Sequence, residues 1–290
     1  MASPEARYPP TGEILSVNGS RAHAHIEGRG PAVILIHGAS GNLRDFTFDL
    51  APHLAGRYRV IAFDRPGLGH SERLHARGEN PFEQAALLDA AAARLGVRRA
   101  ILVGHSFGAA VALAWAIEHP ERVAGVVSLA GVANVWKGGL GPWYAISSSW
   151  LGGATVVPLV SAFAPRARAE MALAPIFAPQ PVPGGYTAHI GIDLTLRAST
   201  LRANARQVNR LKPHVARMVP RYGALDIPVE IVHGDRDTIV PLDIHSRPLA
   251  GQVPGARLTV LEGVGHMPHH ASPEAVIAAI DRAAARAGLR

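Results

Sequence analysis

A serine between glycines is the strongest chemical signal in the chain. Gly104-His105-Ser106-Phe107-Gly108 follows the apolar run Ala100–Val103 and precedes a stretch rich in Ala, Val and Leu. This is G-x-S-x-G in the strand–turn–helix context its chemistry requires. A nucleophile on such a sharp turn stands proud of the backbone. Gly104 and Gly108 remove side chains that would collide as neighbouring segments approach, and the next helix starts with unpaired N–H groups beside the reacting atom. A serine needs a base. Among fifteen histidines, His266 in Gly263-Val264-Gly265-His266-Met267-Pro268 lies just past the strand-like run Arg257–Leu261. It is the expected general base toward Ser106 and general acid toward the leaving group. The base needs an orienting carboxylate. His233-Gly234-Asp235-Arg236-Asp237 follows the run Val229–Val232. Asp237, just before a helix that Pro241 helps start, is favoured over Asp235, which reads as a turn residue. The order Ser, Asp, His is that of hydrolases built on open α/β sheets. The developing oxyanion needs two donors: the N–H of Phe107, next to the nucleophile, and that of Ala39 in the loop His37-Gly38-Ala39-Ser40-Gly41.

The elements that must position these residues are legible as a rhythm. Glu13–Val17 and Ala22–Ile26 flank Asn18-Gly19, a hairpin signal. Ala32–Ile36, Tyr58–Phe63, Ala100–Val103, Val123–Leu129, Val229–Val232 and Arg257–Leu261 are continuous apolar runs, as in strands covered on both faces. Amphipathic stretches at Pro81–Leu95, Phe107–Glu118, Leu242–Gln252 and Pro273–Ala287 alternate with them. This predicts an α/β fold, a mostly parallel sheet of about eight strands flanked by helices, with the opening hairpin as its antiparallel edge. Residues 132–222 break the rhythm with Gly/Pro breaks, Trp and Tyr, and short helical patterns. The best of these is Leu194–Leu211, with Leu194, Leu201, Ala205 and Val208 on one side and Arg202, Arg206 and Arg210 in a neighbouring row.

HGAS after the third strand, FDRPGLGHS (Phe63–Ser71) after the fourth, GHSFG at the turn, HGDRD before the acid and GVGHMPHH around the base together resemble the α/β-hydrolase fold superfamily. They run from about residue 33 to 270, nearly the whole chain. The resemblance implies a core of residues 1–131 and 223–290, with residues 132–222 as a helical cap that shapes the substrate pocket. A serine at the turn leaves esterases, lipases, thioesterases, C–C hydrolases, perhydrolases and some acyltransferases.

Composition narrows the rest. The 290 residues are 48% hydrophobic and 18% charged, as in a globular chain able to bury a core unaided. Cysteine is absent, which removes disulfides, a Cys nucleophile and thiolate metal sites. No uninterrupted apolar run reaches the length of a membrane span, and Met1–Pro10 lacks the apolar core of a signal peptide, so a cytoplasmic location is expected unless a targeting segment was trimmed. The formal charge is +7. Residues 132–222 hold ten basic residues, Arg166 and Arg168 among them, against Glu170 and Asp193. The Arg202, Arg206 and Arg210 row reads as a solvated face, with an anionic lipid surface or an acidic substrate as the sharper alternatives; nucleic acid has no recognised module to bind.

Other residues carry blander expectations. Asp64 and His37 read as structural. His23 and His25 read as surface histidines. His266, His269 and His270 have metal-like spacing, but a metal on His266 would compete with its role as base, and Glu274 is the only carboxylate nearby in sequence. Trp136, Trp143, Tyr144 and Trp150 are candidates to line an acyl pocket, or else pack the cap onto the sheet. The combined expectation is a serine hydrolase of carboxylic esters with small to medium acyl chains, acting on a small molecule with no cofactor or metal. A C–C hydrolase or acyltransferase/perhydrolase would use the same triad, and a receptor that no longer turns over is the rival from another class. The oligomeric state is left open.

Overall fold

Strands β1 (Glu13–Val17), β2 (Ser20–Glu27), β3 (Ala32–Ile36), β4 (Arg59–Phe63), β5 (Ala100–His105), β6 (Val123–Leu129), β7 (Val229–Gly234) and β8 (Arg257–Leu261) form one sheet in the computed structural model. It describes residues 3–139, 141–163 and 170–289; Arg166 and Arg168 lie outside them. The sheet order is β1-β2-β4-β3-β5-β6-β7-β8. β1 and β2 pair antiparallel, β2 joins β4 antiparallel, and every pairing from β4 through β8 is parallel. The hairpin turns on Asn18 and Gly19, both at positive φ (52° and 82°). This is the type I′ geometry whose twist matches the strands it joins.

Of the strands that read as apolar runs, β3 to β7 are covered on both faces, but β8 is not: it is the edge of the sheet and its residues are exposed or half-buried. Every residue of β5, β6 and β7 is buried. One apolar cluster joins one face of the sheet to the helices Pro81–Arg94 and Phe107–Glu118; a second joins the other face to Leu50–Ala55 and Pro273–Arg286. Burial of the helix after Ser106 on all sides from Phe107 to Ala116 explains its nearly uniform apolar sequence. A capping box starts Pro81–Arg94: Asn80 accepts from the Phe82 and Glu83 N–H groups, and Glu83 accepts from Asn80 N at 2.8 Å.

Between β6 and β7 the chain leaves the sheet for a run of helices that includes Pro142–Ser148, Trp150–Phe163, Tyr186–Ile190, Ala198–Asn209 and Leu211–Met218. The helix expected over Leu194–Leu211 is broken. It ends at Leu196 and restarts at Ala198, because Arg197 adopts an extended ψ of 136°. There the Arg197 guanidinium donates to Leu194 O (2.9 Å), to Gly69 O and to Glu5 (2.7 Å). A neighbouring Arg7–Asp193 pair at 3.1 Å also ties the N-terminal segment to this insertion. No single helix among the described residues is long and apolar enough to cross a bilayer.

Candidate active site

Adjacent parallel strands deliver the chemical residues to one edge. Ser106 ends β5 with φ 53° and ψ −114°. Positive φ outside glycine costs on the order of 1–3 kcal/mol and persists only where its surroundings enforce it. Here Ser106 N donates to Leu129 O (2.9 Å), while Ser106 O accepts from Val132 N (3.1 Å). A Cβ on Gly104 would meet Ala109 Cα at 2.6 Å, and one on Gly108 would meet His37 O at 2.7 Å. Both glycines are therefore demanded by close approach.

Asp237 and His266 come from the loops after β7 and β8. His266 Nδ1–H donates to Asp237 Oδ2 at 2.7 Å, with both side chains buried. The other oxygen, Oδ1, accepts from the Ile239 and Val240 N–H groups, each at 2.9 Å. His233 adds a further hold: its Nε2–H donates to Val240 O at 2.8 Å and lies 3.1 Å from Asp237 Oδ2, and its Nδ1 accepts from Ser246 O–H at 2.6 Å. Burial pushes the Asp237 carboxyl up, but donors from His233, His266 and Val240 outweigh it and hold the group well below the usual carboxylate range. It is a fixed anion. Asp235 accepts instead from Gly263 N at 2.7 Å; it braces the loop after β8, 28 residues on, and does not bond its own turn as expected.

The loop after β3 runs past Ser106 closely enough that a Cβ on Gly38 would meet Ser106 Cβ at 3.2 Å. The Gly38 carbonyl accepts from His37 Nδ1–H (2.9 Å) and from Arg65 Nη2 (3.1 Å). Ser40 is clasped from the insertion: Asn204 Oδ1 accepts from Ser40 N (2.7 Å), and Thr195 Oγ1 donates to Ser40 O (2.9 Å). Arg65 is fully buried, lies 4.2 Å over the Phe107 ring, and donates to Gln84 and Gln207. Asp64 is structural, as expected, taking Leu43 N and His70 N at 2.8 Å each. Its third donor is His23 Nδ1 at 2.6 Å, so His23 is a buried partner and not the surface residue its sequence implied.

His37 and His245 carry a pH signature. His37 Nε2 accepts from Arg65 N (3.0 Å), and His245 Nδ1 accepts from Asn134 N (3.2 Å); each bond requires a neutral ring. Burial, with Arg65 beside His37 and His233 beside His245, pushes both imidazoles down to about 4. The unfolded chain therefore binds more protons, and the stabilisation is full above the ordinary histidine value and lost as pH falls toward 4. The melting temperature is expected to fall steadily from pH 6.5 to pH 4, each histidine contributing on the order of 1–3 kcal/mol. His37→Gln should flatten part of that slope in a calorimetric pH series; an unchanged slope would refute the assignment.

A cavity of about 420 Å³ opens onto Ser106 and His266. Its walls are mainly apolar, with Leu173, Ile176, Phe177, Ile190, Ile192 and Met267 among them. Of the four aromatics proposed from sequence, Tyr144 lines it. Trp136 does not; it packs against the core and the His245 ring. Trp143 and Trp150 do not either, being exposed at 39% and 82%. Composition marks a helix as apolar but not which side faces the pocket. Asp45 is a wall residue that sequence reading missed. Its Oδ1 accepts from Tyr186 O–H (2.8 Å) and His270 Nε2–H (2.9 Å), and its Oδ2 accepts from His269 Nε2–H (3.1 Å). Burial raises this carboxyl, but the two histidines more than offset that and keep it ionised. The carboxylate near the histidine run is thus Asp45, not Glu274. Asp45, His269 and His270 place ligand atoms within 4.8 Å of one another, while His266 is committed to Asp237.

Comparison with known proteins agrees with this fold. The family model described as the alpha/beta hydrolase fold matches residues 31–174. A 2-hydroxy-6-oxo-6-phenylhexa-2,4-dienoate hydrolase of Comamonas testosteroni is 28% identical, over 84% of each chain. Among solved structures, an alpha/beta hydrolase fold protein from Burkholderia ambifaria superposes with a TM-score of 0.78 at 22% identity, covering 93% of this chain and 97% of its own. An esterase from Rhodococcus sp. ECU1013 superposes at 0.73 with 24% identity, covering 93% and 96%. The chain has the alpha/beta hydrolase fold, and its residues 31–174 match that family.

Proposed function

We propose that the protein is a serine hydrolase that cleaves carboxylic esters of small to medium acyl chains. The observation that carries this is the buried Asp237–His266 pair sharing an apolar cavity with Ser106 on its strained turn. Ser106 Oγ attacks the ester carbonyl and His266 takes its proton. Asp237 holds the imidazole with Nδ1 protonated, leaving Nε2 to act as base, and stabilises the imidazolium. The Phe107 and Ala39 N–H groups receive the oxyanion. Alcohol departs with the proton from His266, and a water activated by His266 releases the acid.

Arg65 and His37 then acquire a purpose. Both donate to the carbonyl of the Gly38–Ala39 peptide, whose other end is the proposed donor Ala39 N–H. Donation to a peptide oxygen aims and polarises its N–H. Arg65→Met is expected to lower kcat about tenfold with little change in KM, less than loss of the donor itself. Arg65→Lys should restore part of it. Equal falls in both parameters, or no rescue, would reduce Arg65 to a packing role.

Hydrolysis of p-nitrophenyl esters from acetyl to palmitoyl tests the main reading. The expected optimum lies at short to medium chains, with palmitoyl poor. No turnover of any ester would remove it. Cleavage of a C–C bond is the second reading, favoured by the Comamonas relative. Against it, no Lys or Arg occurs among the described cavity-lining residues, and the one acidic wall group, Asp45, is an anion. A carboxylated dienoate would lack a counter-charge there. Turnover of such a dienoate faster than any ester would reverse the order.

A further inference from the structure

Residues 138–163 contain no Asp, Glu, Lys or Arg. They supply the helices Pro142–Ser148 and Trp150–Phe163, which meet at 106° and together are as apolar as a membrane span. A core helix pair would bury that composition. This pair presents it: Trp150 is 82% exposed, Phe163 77%, Leu151 64%, Leu159 58% and Ile146 47%. Elsewhere on the described surface, large exposed apolar side chains such as Ile14 and Val260 are scattered singly. Large apolar side chains exposed together on one segment in this way mark an interaction surface.

Charge identifies what it meets. Trp150 shares a shallow depression with Arg77, Arg206 and Arg210. Arg202 and Arg73 complete the group, close enough that the charges of Arg73, Arg202 and Arg210 act on Arg206. Arg202, Arg206 and Arg210 each donate to a backbone carbonyl, at Gly153, Ala76 and Arg77. Among the described residues none of the three has a carboxylate within salt-bridge distance. A second copy packed on this face by a two-fold axis would bring arginines toward arginines. An anionic surface would neutralise them while the apolar side chains enter the acyl boundary, with tryptophan at the polar–apolar border.

We propose that the face formed by Pro142–Ser148 and Trp150–Phe163, with the adjoining arginines, docks on bilayers containing anionic phospholipid. The same segment reaches the catalytic cavity: Tyr144 lies on its first helix, and Leu173 and Ile176, just beyond, line the wall. The docked face is the outer side of that wall, which gives apolar esters dissolved in the bilayer a short path to Ser106. This last consequence rests on the esterase reading; the docking does not.

The test is partition of the full-length protein, wild type and Ser106→Ala, onto phosphatidylcholine vesicles with and without phosphatidylglycerol. Both forms should bind the anionic vesicles and release as salt rises. Bound protein should show a blue-shifted tryptophan emission, quenched by brominated lipid, with the quenching reduced in Trp150→Phe and lost in Trp143→Phe/Trp150→Phe. Arg206→Gln/Arg210→Gln and Trp150→Glu/Leu151→Glu should each lower partition by about tenfold or more, with hydrolysis of water-soluble short esters unchanged. Should either double variant misfold, the quenching of wild type still decides. Absence of partition, partition indifferent to phosphatidylglycerol, or a solution dimer dissolved by Trp150→Glu would each overturn the proposal. Failure of ester turnover with intact vesicle binding would count against the esterase reading alone.

Discussion

Ser106→Ala should lower kcat for the best ester by about 10⁴–10⁶, with KM little changed. The reason is specific to the turn. Its φ of 53° aims one side chain at the cavity mouth, and the other hydroxyls among the described lining residues are engaged elsewhere: Ser40 with Asn204, Thr195 with Ser40 O, Tyr186 with Asp45 and Tyr144 with Ser40. Alanine adopts the same backbone at similar cost, so the fold should survive and the loss should be chemical. His266→Ala should match it, and the double variant should be no worse than either single one, because nucleophile and base act as a unit. Additive losses would mean that the two residues act in separate steps. Wild-type turnover in Ser106→Ala would end the proposed mechanism.

Asp237→Asn is the second large effect, and it has two readouts. The amide oxygen can still accept from Ile239 and Val240, so the loop should hold its shape. The amide nitrogen would then face His266 Nδ1, which must accept where it now donates. The ring would be driven to the tautomer protonated at Nε2, the atom that should receive the serine proton, and kcat should fall about 10⁴ at neutral pH. Stability provides the other readout. The Asp237 carboxyl is held below its ordinary value, so its contribution is present above that value and lost as pH falls through the folded one. The asparagine variant should lose this part of the acid limb in urea titrations below pH 4. Loss of activity without a change in the acid limb would detach the carboxylate from the charge network described here.

The legible part of the site is the part written in local sequence. Ser106 and Asp237 each follow a strand buried along its whole length, His266 follows the shorter, partly exposed edge strand β8, and parallel strands deliver their carboxyl ends to one edge. The illegible part depends on residues far apart in sequence. Asp45 meets His269 and His270 across 224 and 225 positions, and nothing in either segment names the other. Arg65 sits in a motif whose glycines dominate its reading, yet its guanidinium travels inward to Gly38 and Phe107. His23 alternates with His25 on one strand. Its burial follows from Asp64 at the end of the antiparallel neighbour β4, a partner that period-two patterning cannot reveal. The tryptophans failed for a related reason: an apolar helix with no charged face has no pattern to say which side is inside.

The point at which the insertion enters has an evolutionary consequence. β6 and β7 are parallel neighbours in register, Val126 opposite Val229 and Leu129 opposite Val232, so the roughly hundred residues between them leave at the carboxyl end of one strand and return at the amino end of the next, a crossover whose two ends the sheet fixes. Ser106 lies upstream of that departure, and Asp237 and His266 downstream of the return. Lengthening, shortening or exchanging the inserted helices leaves the distance between nucleophile and base under the control of the sheet. Selection can therefore remodel the cavity walls and the proposed docking face, while Ser106, Asp237 and His266 stay where the strands put them.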